Sequence, residues 1–304
     1  MSDRLPVIFL AGSTAVGKSA VAAALADLIN AEIVSCDAMQ VYREANIISD
    51  KPSSDLQRRI PHHLIDVVSV TEEFSAARYR ALASAATADI HSRGKIPLIV
   101  GGSGMYMMAL LDGLFEGDVN SVVRAELEAV DPVELYAELK QVDPDAAAAI
   151  PSENVRRIVR ALEVYKATGI PFSQVKQRRE GFWGKYAVRI FGLERPREEL
   201  YRRVEVRIDQ MVTAGMMEEV RSLLTLPLSS TGARIIGVPE VKGVVDGVYD
   251  IERAVYLMKL HTRHYVKRQM TWFRKDKRIE WLTLASGETP VAIADRIYKN
   301  IKHA

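Results

Sequence analysis

Val7-Ile8-Phe9-Leu10-Ala11-Gly12-Ser13-Thr14-Ala15-Val16-Gly17-Lys18-Ser19 is the stretch that decides the fold. Its five leading apolar residues read as a strand covered on both faces, as in a parallel sheet. The octet Gly12 to Ser19 fits G-x-x-x-x-G-K-[ST], and the alanine-rich run Lys18 to Ile29 that follows predicts a helix with Val21, Leu25 and Leu28 on one face. Strand, glycine loop and helix together let backbone N–H groups close around a diphosphate at the positive end of the helix. Lys18 supplies a full charge, and the Ser19 hydroxyl is a ligand for Mg²⁺. The motif therefore marks a phosphate site made of Gly12, Ser13, Thr14, Ala15, Val16, Gly17, Lys18 and Ser19. It leaves open whether the phosphates belong to a nucleotide or to another molecule.

Outward from this loop, short apolar runs alternate with helix-compatible stretches. Further strands are predicted at Glu32 to Ser35, His63 to Val67 and Pro97 to Val100, with a helix over Ala76 to Arg93. This pattern predicts an α/β fold, a doubly wound, mostly parallel sheet of the P-loop kind. From about Phe115 to Pro151 strand signals vanish, and Glu/Ala/Leu-rich segments broken by Asp131-Pro132 and Asp143-Pro144 predict a small helical insertion. A strand is predicted again at Ala187 to Leu193, after the loop Gly181 to Gly184, and Arg197 to Ala304 reads as mostly helical around a turn region at Leu226 to Gly237. The expected organisation is a catalytic core of residues 1–114 and 183–304 with C-terminal helices, interrupted by a mostly helical insertion over 115–182.

The 304 residues are 48% apolar and 26% charged, which argues against wholesale disorder. No apolar run approaches the ~18 residues of a membrane span, so no membrane attachment is expected. The N-terminus reaches its first strand without a cleavable apolar stretch, so no signal peptide is expected either. A single cysteine, Cys36, precludes an internal disulfide and a four-cysteine zinc site, which points to a reducing, cytoplasmic compartment. The net charge of +2 hides an asymmetry: residues 1–150 hold 12 Lys and Arg against 21 Asp and Glu, residues 151–304 hold 29 against 18. A polyanion would bind the second half.

Asp37 falls just beyond the carboxyl end of the second strand, the edge where open α/β sheets bind ligands. There it can ligate Mg²⁺ through water, accept a proton from a nucleophile, or simply cap a helix. Gly101-Gly102-Ser103-Gly104 opens on the same edge and brings a hydroxyl, Ser103. Basic runs lie at Arg156 to Arg160, Arg202 to Arg207 and His261 to Arg274. On helices, Arg156 pairs with Arg160 and Arg203 with Arg207, each a two-pronged phosphate clamp. Interleaved Tyr, Trp and Phe suit RNA, although each run also fits an ordinary amphipathic helix. His62-His63 has no partners at a metal-ligand spacing.

Taken together, these segments resemble the tRNA dimethylallyltransferase (tRNA isopentenyltransferase) family, whose members prenylate N6 of an adenine next to the anticodon. The resemblance spans nearly the whole chain. It includes the phosphate loop, Asp37 to Tyr42, Lys51-Pro52, Pro61 to Asp66 and Gly94 to Pro97 running into Gly101 to Tyr106. It continues through Arg157 to Val164 with Thr168-Gly169, Arg207 to Met211 with Gly215 and Glu219-Val220, and Thr262-Arg263 with Lys267 to Gln269 and Thr271-Trp272. It implies a dimethylallyl diphosphate held in the phosphate loop, a loop also regarded in the family as nucleotide-binding (ATP), with Mg²⁺ as cofactor and the tRNA anticodon stem-loop as partner of a monomeric enzyme. By the same resemblance Asp37 is the base for the N6 proton, Ser103 meets tRNA or diphosphate, and Arg207 grips pyrophosphate. Asp37, Ala38, Met39 and Gln40 touch the target base, and Ser103, Arg124, Arg156, Arg157, Ile158, Val159 and Arg160 match tRNA-contacting positions.

The chain departs from the family pattern in three places. Ala38 replaces the usual serine. Ala45-Asn46-Ile47-Ile48-Ser49-Asp50-Lys51-Pro52 stands where the family runs roughly Met/Leu-Asp-Ile-Gly-Thr-Ala-Lys-Pro, and Gly237-Val238-Pro239-Glu240 where it has Gly-Tyr-Lys/Arg-Glu. These changes are expected on tRNA-facing surfaces. Two alternatives to the prenyltransferase stand beside it: a small-molecule P-loop kinase, and a paralogue that is non-catalytic or altered in its choice of RNA.

Overall fold

Strand β1 (Pro6–Gly12) is buried along all but its first residue, and it pairs on both sides, with β4 (Ile96–Gly101) and β5 (Ala187–Glu194), in parallel. In the computed structural model, which describes residues 4–114, 121–177 and 180–302, the sheet is completed by β2 (Ala31–Cys36), β3 (His62–His63) and β6 (Ile279–Thr283). Six strands run in the order β3-β2-β4-β1-β5-β6, every pair parallel. All carboxyl ends therefore open on one edge, and the loops after β1, β2 and β4 converge there.

The alternation along the chain is thus read correctly, with three local differences. The strand predicted at His63 to Val67 shrinks to His62–His63, because Leu64 (φ 63°) and Asp66 (φ 60°) turn left-handed and break the extended run. The edge strand Ile279–Thr283 lies in a region expected to be helical; with Ile279 and Leu282 buried three positions apart, it carries no two-residue alternation that would mark it beside the long helix before it. In the helix Lys18–Ile29, Val21 and Leu25 are buried as expected, whereas Leu28 is exposed.

The chain divides into two compact units, Met1–Leu110 with Lys185–Ala304, and Leu111–Gly184. The first contains the sheet together with the helices Arg197–Thr213, Met216–Leu223, Val238–Val245, Ile251–Phe273 and Pro290–Lys302. Its β3 edge is fastened by Glu32 of β2, 1% exposed, whose carboxylate takes hydrogen bonds from Arg93, from Lys95 Nζ at 2.9 Å and from His63 Nε2 at 2.7 Å. These donors hold the Glu32 carboxyl down at about 2.

The second unit is helical. Leu127, Leu135, Leu139, Ile158 and Leu162 pack its core, drawn from the helices Ser121–Glu128, Pro132–Val142 and Val155–Thr168. Buried Asp143 caps the helix Pro144–Ala149 through the Ala146 N–H (3.0 Å) and also accepts the Ser173 N–H (2.8 Å) and hydroxyl (2.7 Å). Residues 115–120, where the sequence places the start of the insertion, lie outside the described residues.

Candidate active site at the carboxyl edge of the sheet

The phosphate loop leaves β1 and turns into the helix Lys18–Ile29 through Ala15 (φ 62°) and Gly17 (φ 109°), the latter a conformation that favours glycine. Lys18 Nζ donates to the carbonyls of Gly12 (2.9 Å) and Ser13 (2.8 Å). Burial pushes its ammonium down to about 8, against the pull of the nearby Asp37 charge.

The loop is tied to distant sequence from outside. Arg195 Nε donates to the Val16 carbonyl (3.0 Å), Arg203 Nε to the Ala15 carbonyl (2.7 Å) and Arg207 Nη1 to Thr14 Oγ1 (3.1 Å). The Arg203/Arg207 pair, legible in the sequence as a phosphate clamp, thus sits on the phosphate loop. Arg207 also pairs with Asp50 at 3.2 Å. From the helix Ile251–Phe273, Gln269 accepts the Thr14 N–H (2.9 Å) and donates to the Gly102 carbonyl (2.9 Å), so one 7% exposed side chain joins the two glycine loops. A Cβ on Gly102 would stand 2.3 Å from that amide, which explains the glycine.

No helix starts at Asp37, which removes the capping reading. Its Oδ1 accepts the Met39 N–H at 2.9 Å. Ser103 stands next to it: its Oγ accepts the Ala38 N–H (2.9 Å) and its own N–H donates to the Cys36 carbonyl (3.2 Å). The Cys36 thiol is pushed up to about 12 by burial and is no nucleophile at neutral pH. Gln40 is fixed by Ser35 Oγ on Oε1 (2.9 Å) and by the Asp50 carbonyl, which accepts from Nε2 (3.1 Å).

Two cavities meet at these residues. A polar one of about 60 Å³ is bordered by Thr14, Lys18, Ser19, Asp37, Asp50 and Arg207. An apolar one of about 220 Å³ is bordered by Met39, Ile48, Ile208, Met211, Ile235 and Met258, together with Tyr265. Thr14, Asp37, Ser49 and Arg207 border both. Tyr265, hydrogen-bonded to Ser103 and Gln269, has its hydroxyl raised to about 12 by burial and by the Asp37 charge.

The apolar wall corrects one expectation. Ile48 and Ser49 are buried and border the cavities, and Val238 is buried too, so these three departures from the family pattern are not on an RNA-facing surface, whereas Asn46, Asp50 and Pro239 are exposed. Ile48 packs so close to Gly237 that a Cβ there would meet its Cδ1 at 2.7 Å, and Glu240 accepts the Gly237 N–H at 2.6 Å. Tyr265, Gln269, Asp50 and the methionine wall escape a sequence reading. Tyr265 and Gln269 lie inside the basic run His261 to Arg274, where helical spacing is the signal for both and the resemblance at Lys267 to Gln269 a second one for Gln269 alone, without a role attached.

The IPP transferase family model matches residues 40–276, most of the chain, beginning after strand β2. The chain belongs to the IPP transferase family. Its relatives include tRNA dimethylallyltransferase 1 of Trichlorobacter lovleyi, 43% identical over 293 residues, 94% of this chain and 96% of the relative. The full-length tRNA isopentenylpyrophosphate transferase of Bacillus halodurans has the same fold, with a TM-score of 0.73 at 33% identity, covering 99% of this chain and 98% of that one. A eukaryotic dimethylallyltransferase acting on tRNA gives a TM-score of 0.81 at 30% identity over 92% of this chain and 74% of its own.

The remaining residues singled out by resemblance to the family lie on the helical unit. Arg156 and Arg157 are exposed. Ile158 and Val159 are core residues, 0% and 2% exposed, so their side chains cannot meet a nucleic acid. Arg124 and Arg160 converge on buried Glu163, at 3.2 and 2.9 Å, so the Arg156/Arg160 clamp read from spacing is replaced by an Arg124–Glu163–Arg160 arrangement. In the sheet-containing unit, His264, Lys267, Arg268, Thr271, Trp272 and Lys275 border an open groove of about 480 Å³. Among the described residues no group of three or more His, Cys, Asp or Glu could hold a metal ion, and no helix is long and apolar enough to cross a membrane.

Proposed function

We propose that this protein transfers the dimethylallyl group of dimethylallyl diphosphate to N6 of the adenosine next to the anticodon, position 37, of tRNAs reading codons that begin with U, and releases diphosphate. The observation that carries the reading is the junction at Thr14, Asp37, Ser49 and Arg207, where a polar cavity on the phosphate loop meets an apolar cavity able to receive a branched five-carbon chain. A diphosphate in the first and a prenyl group in the second put the reacting carbon beside Asp37. A small-molecule kinase has no use for the methionine wall or for a basic groove, and the family membership disfavours it.

Neutral N6 of adenine is a poor nucleophile. As its lone pair forms the new bond to C1 of the prenyl group, the C1–O bond breaks and the N6 proton goes to the Asp37 carboxylate. The departing diphosphate is stabilised by Lys18, by loop N–H groups and by Arg207, all held in place before reaction. Ser103, fixed against the Ala38 N–H, presents its hydroxyl at this edge to tRNA or diphosphate.

The donor set fits Mg²⁺. Ser19, in the first turn of its helix, borders the polar cavity, and so does the Asp37 carboxylate; these hard oxygens suit an ion that also binds substrate phosphates. Bound there, Mg²⁺ would neutralise charge on the leaving diphosphate. The exposed Arg156 and Arg157 and the Trp272 groove are the surfaces offered to the anticodon stem-loop, with the adenine drawn out of its stack to reach Asp37. The protein acts as a cytoplasmic monomer. Mass spectrometry of nucleosides from tRNA incubated with the protein and dimethylallyl diphosphate tests this: N6-dimethylallyladenosine is expected, and phosphate transfer from ATP to a small alcohol without it would overturn the reading.

A further inference from the structure

Asp50 puts a negative charge beside Arg207 at the edge of the cavity that Lys18 and the phosphate loop offer to an anion. Its carboxylate lies 3.2 Å from the Arg207 guanidinium, whose other amino group donates to Thr14 Oγ1 in the phosphate loop, and both residues border the polar cavity with Lys18 and Ser19. The same pair borders an open recess of about 490 Å³ that continues to Lys51 and Gln210, so Asp50 and Arg207 stand between solvent and the phosphate loop.

The carboxylate is held there by its backbone. Asp50 is left-handed (φ 52°), its N–H donates to the Ile47 carbonyl at 3.0 Å and its carbonyl accepts from Gln40 Nε2 at 3.1 Å. Just before it, the Glu219 carboxylate accepts the N–H groups of Asn46, Ile47 and Ile48 at 2.9 to 3.0 Å. Just after it, Lys51 Nζ, 6% exposed, donates to the Tyr42 carbonyl at 2.7 Å and pairs with Asp66 at 2.5 Å. A segment pinned on both sides keeps the charge beside Arg207.

We propose that Asp50 is a built-in competitor for the diphosphate: it holds Arg207 in the free protein, yields it to the entering diphosphate, and reclaims it as pyrophosphate leaves. The inference rests on the polar cavity being the diphosphate site. Its physical content is an exchange of ion-pair partners, in which a diphosphate must displace one anion from the guanidinium and then lie beside it. Asp50 thereby weakens the grip on both substrate and product and hastens product release. Replacing the carboxylate with a neutral group of the same shape should tighten diphosphate binding about five- to tenfold, the scale of a partly exposed ion pair and its repulsion.

Titration of inorganic pyrophosphate, in EDTA and low salt, into the full-length wild type, Asp50→Asn, Arg207→Ala and the double variant tests it. Asparagine tolerates the left-handed backbone, and Asp50→Gly serves as a second variant free of side-chain strain. The expected results are tighter binding by both Asp50 variants and loss of most of that gain in the Arg207→Ala background, because the competition is for Arg207. Equal or weaker binding by Asp50→Asn and Asp50→Gly would overturn the proposal, and so would an undiminished gain without Arg207, which would make Asp50 a general repulsive charge. A wild type that bound no pyrophosphate would overturn the diphosphate site itself, an outcome distinguishable from the others.

Discussion

Asp37 does its proposed work only in the transition state. Asp37→Asn keeps the shape and can still accept the Met39 N–H through its amide oxygen, so tRNA and diphosphate affinities should stay within a few fold of wild type. The single-turnover rate of prenyl transfer should fall by ~10²–10⁴, the contribution of a general base. Rapid-quench measurement at saturating substrates checks it; a rate near wild type would assign the proton to another group. Asp37 and the phosphate loop were legible because their chemistry is tied to a local pattern, a strand followed by a short spacing. Asp50 and Tyr265 were not, since each acquires meaning only from a partner far along the chain, Arg207 for one and Ser103 for the other.

Helix position, more than residue type, decides what the basic residues do. Arg203 and Arg207, four apart, share a face, as their spacing implies, and that face meets the phosphate loop; Arg160 is drawn to Glu163, three positions on, by an i to i+3 pairing that the sequence left unread. Gln269 shows the same dependence on element placement. Gln269→Leu would orphan the Thr14 N–H and the Gly102 carbonyl in a buried place, at a cost of about 1–3 kcal/mol for each unsatisfied group. The expected outcome is a lower unfolding midpoint in urea together with a raised KM for dimethylallyl diphosphate, because the loop loses its anchor. Gln269→Glu keeps the acceptor for Thr14 and should restore part of the loop geometry. A normal KM with lowered stability would limit Gln269 to a packing role.

Two predictions belong to the whole molecule. The excess of basic residues in the second half should make tRNA affinity fall steeply with salt, through release of counterions from phosphates. Arg156→Ala with Arg157→Ala should weaken binding and make the log–log slope shallower by about one unit for each phosphate that is no longer neutralised. Filter binding of labelled tRNA across a salt series reads both; an unchanged slope would exclude this face of the helical unit from the interface. Stability should also respond to acid through Glu32. Because its folded pKa is depressed to about 2, its contribution is present above the unfolded value near 4.5 and is lost as pH falls towards 2. The loss should amount to about 2–4 kcal/mol, and Glu32→Gln should flatten the urea-unfolding stability between pH 5 and 2 relative to wild type.

The tethers on the phosphate loop also have a consequence in time. Val16, Ala15 and Thr14 are bonded to Arg195, Arg203, Arg207 and Gln269, which lie 179, 188, 193 and 255 positions further along the chain. On the ribosome the loop is therefore made well before any of the groups that secure it. A nascent chain carries the whole motif long before it carries the groups that shape it, and such long closures are formed late in folding. The loop thus takes its final shape only once the helix Ile251–Phe273 has been made, so a shorter nascent chain displays the signature without the groups that shape it.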